Sequence, residues 1–270
     1  MANPYASVVI LTMGVPFTVL ECLKTQTFQD FEVIMAREKG IVPAMNAALL
    51  KAKGEIFVRL DDDVEMPATW LEELIKPFRN DCVVGATGPT FIPKELRKNR
   101  DSIRWAESPN FFLRWLYDNG KFSPGDIREC GCVSYDSNFE ERFDAITKSI
   151  VWQPDYLEGT NWAMRTDMIR KVGGFDEKFD GVAEWFDVDC EKKILKKTKL
   201  FTIYNPKAYL YHLLGKGGHF NERFEGFGRI KNFLRFHWRH GRWRFLNIKF
   251  YVYVLVWLGY FIGKRFKWLK

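Results

Sequence analysis

Glu55-Ile56-Phe57-Val58-Arg59-Leu60 runs directly into Asp61-Asp62-Asp63. A short run dominated by β-branched and large apolar residues reads as a strand buried on both faces, as parallel sheets require. Carboxylates massed at its carboxyl end sit where open α/β sheets bind their ligands. Three adjacent carboxylates repel one another, so the triplet costs stability unless a cation neutralises it. Mg²⁺ or Mn²⁺ takes oxygen ligands and accepts phosphate oxygens beside them. Alternate residues of an extended chain point the same way, so Asp61 and Asp63 can face one site. Taken alone, the triplet reads equally well as a solvated acidic turn.

The flanking sequence repeats the strand signal. Ser7-Val8-Val9-Ile10-Leu11-Thr12 and Phe31-Glu32-Val33-Ile34-Met35 are further strands, and Val83-Val84-Gly85-Ala86 is another. Helical stretches lie between them, at Phe17 to Gln26, Pro43 to Lys53 and Trp70 to Phe78, with Gly54 as a stop. Alternating strands and helices predict an α/β fold with a mostly parallel, Rossmann-like sheet flanked by helices. Residues 91–150 mix charge, aromatics and loop formers without period and read as a variable insertion. Order returns at Glu158 to Met164, then a helix from Thr166, the turn Gly173-Gly174, a helix from Asp187 to Lys197, and closing strands at Leu200 to Tyr204 and Ala208 to Tyr211.

Composition narrows the class. The 270 residues are 47% hydrophobic and 28% charged, which excludes a disordered, collagen-like or disulfide-scaffold chain. The five Cys, an odd number in a long chain, imply no disulfide framework and suit a reducing compartment. No signal peptide is read in residues 1–12. The net charge of +7 is unevenly placed: Glu222 to Lys270 holds 12 Lys and Arg against 2 Glu, leaving the other 221 residues at −3. The chain is therefore read as a catalytic body, 1–221, and a basic aromatic tail, 222–270.

Two further groups carry chemistry. Glu184-Trp185-Phe186-Asp187-Val188-Asp189 stands at a helix start, where carboxylates either cap the helix or serve as a general base. His212 follows an apolar run and precedes a glycine-rich stretch holding Lys216. The imidazole reads as a metal ligand, a phosphate donor or a packed structural group. The glycine-rich stretch reads as a diphosphate cradle or a flexible loop.

In their order, these stretches resemble family-2 inverting glycosyltransferases. The resemblance rests on the Ser7-to-Thr12 strand, Gln26-Thr27-Phe28, Asn46-Ala47-Ala48-Leu49 before Lys53-Gly54-Glu55, and Leu60 to Asp63. It continues through Gly159 to Arg165, Gly173-Gly174-Phe175-Asp176-Glu177-Lys178-Phe179, and Asp187-Val188-Asp189. It implies a GT-A fold and metal-dependent sugar transfer from a nucleotide-sugar to a hydroxyl acceptor with inversion. It implies that Asp61, Asp63 and His212 hold Mn²⁺ or Mg²⁺, and that Asp187 is the catalytic base with Glu184 as its rival. Donor contacts are implied for Thr12, Asn46, Asp61, Asp62, Asn161 and Lys216. Where relatives read Asp-Asp-Gly-Ser, this chain has Ala36-Arg37-Glu38-Lys39-Gly40, and Glu38 stands in for the base-holding carboxylate. Two other classes remain open, a nucleotidyltransferase acting on a sugar phosphate and a non-catalytic nucleotide-sugar binding module.

The tail carries a different expectation. Phe250 to Gly263 is 14 residues without a charge, bounded by Lys249 and by Lys264 and Arg265. As a helix it would reach about 21 Å, short of the ~30 Å hydrocarbon core. A basic, Trp-rich segment lying in the headgroup region fits better, with Trp257 and Phe261 among the inserted rings. Residues 223–270 are thus expected to attach the protein to an anionic membrane surface, at the cytoplasmic face of the cell membrane. A lipid-linked or surface-glycan acceptor follows from that position. Nucleic acid is not an expected partner, because the apolar run has no use there.

Overall fold

The computed structural model describes residues 3–14, 17–97, 108–118, 124–133, 150–214 and 227–266. Strands β1 (Ala6–Leu11), β2 (Phe31–Ala36), β3 (Ile56–Asp61), β5 (Val83–Thr87), β7 (Asn161–Arg165) and β8 (Phe201–Tyr204) form a six-stranded sheet in the order β2-β1-β3-β7-β5-β8. β1 is parallel to β2 and β3, and β5 is parallel to β8. β7 alone runs against its neighbours β3 and β5, so the mostly parallel expectation holds with one reversed central strand. A smaller sheet, β4 (Val64–Glu65), β9 (Leu210–His212) and β6 (Thr90–Phe91), stands beyond the carboxyl end of β3.

Helices cover both faces. Helices α1 (Phe17–Lys24) and α3 (Trp70–Ile75) pack on Val8, Ile10, Ile56, Val58 and Leu60. Helices α2 (Ile41–Lys51), α6 (Thr166–Lys171) and α7 (Phe186–Lys197) pack on Val9, Phe57, Trp162 and Met164. The two-residue period of β3 therefore sends Phe57, Arg59 and Asp61 to the α7 side.

Two glycines show why the motifs are spaced as they are. A Cβ on Gly54 would lie 2.5 Å from the backbone of Ala6 and Ser7, so only glycine lets β3 enter beside β1. Gly174 has φ +74, and a Cβ there would lie 2.9 Å from Asn46 Oδ1. That contact belongs to a clamp in which Asn46 Nδ2 donates to Phe175 O and Asn46 Oδ1 accepts from Phe175 N, both at 2.9 Å.

The stretch 91–150 contains helices α4 (Lys94–Arg97) and α5 (Phe111–Tyr117), and an isolated bridge between Ile127 and Val133. After it come helices α8 (Gly228–His240) and α9 (Ile248–Arg265), joined by a 3₁₀ turn, Arg242–Leu246. The basic tail is helical, and it shares a core with the body. Ile230, Phe233, Phe250, Tyr253 and Trp257 pack with Leu116, Tyr117, Cys130 and Cys132. Asn232 Nδ2 donates to Asp180 O at 2.9 Å. Much of the tail's charge meets acids of the body. Lys231 pairs with Asp180, Arg239 with Asp176 and Asp189, and Lys249 with Asp118 and Glu129. Trp257 and Phe261, expected among lipid headgroups, are buried here instead.

Candidate active site

β3 delivers the first two groups. Arg59 is buried in the central strand, and its guanidinium forks between two carboxylates. Nη2 donates to Asp61 Oδ1 at 3.1 Å and Nη1 to Asp187 Oδ2 at 3.0 Å. Arg59 pairs in register with Trp162 on β7, and Trp162 Nε1 also donates to Asp187 Oδ2, at 3.2 Å. The reversed strand thus supplies a fixed donor to a carboxylate of α7. Asp187 lies in the first turn of that helix, where the macrodipole favours a negative group. Only 4% of it is exposed. Burial pushes its pKa above the ordinary carboxylate value, while Arg59 and the hydrogen bonds oppose the rise.

The small sheet delivers the third and fourth groups. β4 and β9 pair Val64 with His212, which brings His212 Nε2 to 3.0 Å from Asp63 Oδ1. Asp61, Asp63 and His212 each offer one ligand atom, all within 4.8 Å of one another. Two carboxylate oxygens and one imidazole nitrogen form a donor set suited to Mn²⁺, and also to Mg²⁺ with phosphate and water completing the shell. Asp62 turns the other way. Burial raises its pKa, Thr12 lowers it by a side-chain hydrogen bond, and the charges of Asp63 and Asp61 raise it further.

A cavity of about 260 Å³ joins these groups to the C-terminal helices. Asp61, Asp187 and His212 line one part, and Ile230, Phe233, Tyr253 and Trp257 another. Glu184 lies on this wall, with Arg229 Nε 2.9 Å from its Oε2 and the Arg229 guanidinium 4.3 Å over the Trp257 ring. Its neighbours Ala183 and Trp185 have φ of 52° and 76°, a left-handed conformation that non-glycine residues adopt at a cost.

Other expected donor contacts fall differently. Asn161 Nδ2 donates to Pro89 O and Ala208 O, and its Oδ1 accepts from Trp70 Nε1. Asn46 is held in the Phe175 clamp. Both amides are held by protein partners, and neither lines this cavity. Glu38 pairs with Lys51 at 2.9 Å, away from the cavity lining. Lys216 lies outside the described residues. Arg59 is the group that the motifs missed. A cation in an otherwise apolar, doubly buried strand must find an acid partner, and that was the available signal.

The acids of α7 are set apart by their surroundings. Burial would raise Asp189, but His240, Lys193 and Arg239 more than offset it and hold its pKa at about 2. Glu191, fully buried, is pushed up by desolvation from 4.5 to about 7. Between those two values the folded chain keeps a proton that the unfolded chain has released, so stability falls as pH rises through that window. Glu191→Gln removes this loss, on the order of 3 kcal/mol at full ionisation. The variant is expected to match wild type in Tm at about pH 4.5 and exceed it by several degrees at about pH 8. Scanning fluorimetry across that range checks it, and parallel curves would mean that Glu191 is already ionised in the folded chain.

Residues 18–131 match the sequence model of glycosyl transferase family 2. Among solved structures, the chain is similar to a mannosyltransferase from Pyrobaculum calidifontis, solved with GDP-Man and Mn²⁺. The TM-score is 0.53 at 15% identity, covering 89% of this chain and 65% of that one. It is also similar to GalNAc-T7, solved with UDP, GalNAc and Mn²⁺, with a TM-score of 0.57 at 14% identity, covering 87% of this chain and 48% of that one. The resemblance to family-2 glycosyltransferases is borne out. The fold is GT-A, with the mixed sheet flanked by helices as its frame. The chain spans less than two thirds of either structural relative. No curated protein matches it. Within the GT-A frame, Asp61 at the end of β3, Asp187 on α7 and His212 on β9 line the cavity, and Asp63 pairs with His212 at 3.0 Å.

Proposed function

We propose that the protein is a metal-dependent inverting glycosyltransferase, moving a sugar from a nucleotide-sugar to a hydroxyl of a lipid-linked or surface-glycan acceptor. The observation that carries this reading is the convergence of Asp61, His212 and Asp187 on one cavity, with Asp63 beside His212 and Asp61 as the third carrier of a metal-ligand atom. The Mn²⁺ and nucleotides bound in the two structural relatives support it. A divalent cation held by Asp61, Asp63 and His212 would neutralise charge on the departing nucleoside diphosphate. Asp187 takes the proton from the attacking hydroxyl. Its Oδ2 accepts from Arg59 and Trp162 and its Oδ1 from Val188 N, and the residue lines the cavity in which the acceptor would bind. Arg59 and Trp162 hold that carboxylate in one orientation. Attack from the face opposite the diphosphate inverts the anomeric centre in a single displacement. Pro124 and Val133 of the 91–150 stretch, with α8 and α9, wall the remainder of the cavity and offer the acceptor its surface.

The test is a panel of nucleotide-sugars with and without Mn²⁺, read by melting temperature and by release of nucleoside diphosphate. A donor at about a hundred times its Kd stabilises the native state by about 2.7 kcal/mol. The rise is expected only with metal, and Asp63→Ala should abolish it while the fold persists. Asp61→Ala should abolish it too, with a lower Tm, because Arg59 loses a partner. Full transfer by Asp63→Ala without added metal would sink the metal assignment. Release of inorganic diphosphate from a nucleoside triphosphate and a sugar phosphate would identify a nucleotidyltransferase instead.

A further inference from the structure

Helix α9 is apolar on both sides, and among the described residues only one side is covered. Phe250, Tyr253, Trp257, Tyr260 and Phe261 face the shared core. The opposite face presents Ile248 and Leu255, each 66% exposed, with Tyr251 and Ile262. At 100° per residue these four fall within one narrow stripe. No charged residue interrupts the helix from Phe250 to Gly263. Leu246, 91% exposed, extends the stripe into the preceding turn. Helix α5 adjoins that end, where Lys249 Nζ lies 5.6 Å over Trp115, and it exposes Phe111 and Phe112. An uncharged apolar stripe of about 21 Å is not an ordinary solvated helix face.

We infer that this stripe is a docking surface for the headgroup layer of an anionic bilayer. The charges at its two ends choose the occupant. Arg242 is exposed before the stripe and Arg265 after it, and neither carries an ion pair among the described residues. Lys267 and Lys270 follow in the sequence. Two-fold pairing of antiparallel stripes from two copies would set Arg242 against Arg265, like charge against like. An anionic lipid surface complements both ends and takes the apolar middle. Among the described residues no helix is long and apolar enough to cross a membrane, so the helix lies along the surface. The inference does not depend on sugar transfer, and its readout is separate from donor binding.

The test is flotation of the full chain with vesicles of phosphatidylcholine alone and with about a third phosphatidylglycerol. The chain is expected to float with the anionic vesicles, less at high salt but not to be fully released. The double variant Leu255→Glu, Ile262→Glu should lower partition by about a hundredfold. Its far-ultraviolet circular dichroism and Mn²⁺-dependent donor shift should match wild type, since both side chains are solvent-facing. A second pair at the other end, Leu246→Glu, Ile248→Glu, should do the same and keeps the test open if the first pair fails to fold. Wild-type protein left at the bottom of the gradient with anionic vesicles would overturn the inference, and so would folded variants that float as well as wild type. A wild-type dimer that the variants convert to monomer would assign the stripe to a second copy instead.

Discussion

Asp187→Asn is expected to cut turnover by about 10²–10⁴-fold, the range for loss of a positioned general base. Donor affinity should barely move, because the group that changes faces the acceptor. The substitution keeps the volume, but one amide oxygen cannot accept from Arg59 and Trp162 on one side and Val188 N on the other. The ion pair to Arg59 is lost, so Tm should fall while Asp61 still holds Arg59. The capacity to take a proton is lost as well. The wild-type pH profile carries the same assignment. Burial raises the Asp187 pKa above its usual 3.8, so the free enzyme loses its base as pH falls through that raised value. The acid limb of kcat/KM should therefore lie above 3.8 and vanish in Asp187→Asn. Comparison with Glu184→Gln decides between the rivals. If Asp187→Asn retains near-normal turnover and Glu184→Gln does not, the base is Glu184, and its ion pair with Arg229 must open for catalysis.

Arg59→Met should be as damaging by another route. It leaves Asp187, buried, and Asp61, nearly so, without the cation they share, and breaking such a pair costs about 3–5 kcal/mol. The expected result is a Tm lower by many degrees and loss of transfer together. Arg59→Lys separates the two effects. One ammonium cannot reproduce the fork that reaches Asp61 and Asp187 at once, so stability should recover partly while turnover stays low. A Met variant with wild-type Tm and turnover would show that the guanidinium neither holds the fold nor orients the base.

The strands and helices of the sheet were legible because covered parallel strands write themselves as unbroken apolar runs. The acidic end of β3 was legible as a candidate site only in company with the other family stretches, since alone the triplet reads equally well as a solvated turn. The direction of β7 was not. Periodicity reports which residues are buried, and Asn161–Arg165 is buried on both faces whichever way it runs. The partners of the asparagines were hidden for a related reason. A motif records that Asn46 and Asn161 are required, whereas their amides close backbone gaps at Phe175 and at Pro89 and Ala208. The tail misled through its composition. A helix with aromatics on every side gives no clue to which rings pack inward, so Trp257 and Phe261 changed places with Leu255 and Ile262.

The reversed strand also sets a timetable. β7 lies between β3 and β5, yet it is made almost a hundred residues after the first and about seventy-five after the second. A nascent chain ending near residue 150 holds β1, β2 and β3 as a three-stranded unit whose inner edge is open, with β5 unable to join it. Unpaired edges of this kind recruit other strands. At about 5–20 residues per second, that edge waits several seconds for its partner. Arg59 waits longer, since Asp187 emerges after β7. Synthesis thus passes through an interval in which β3 has an open edge and Arg59 has Asp61 but not Asp187 as its partner, and aggregation during expression should concentrate in chains stalled between residues 61 and 187.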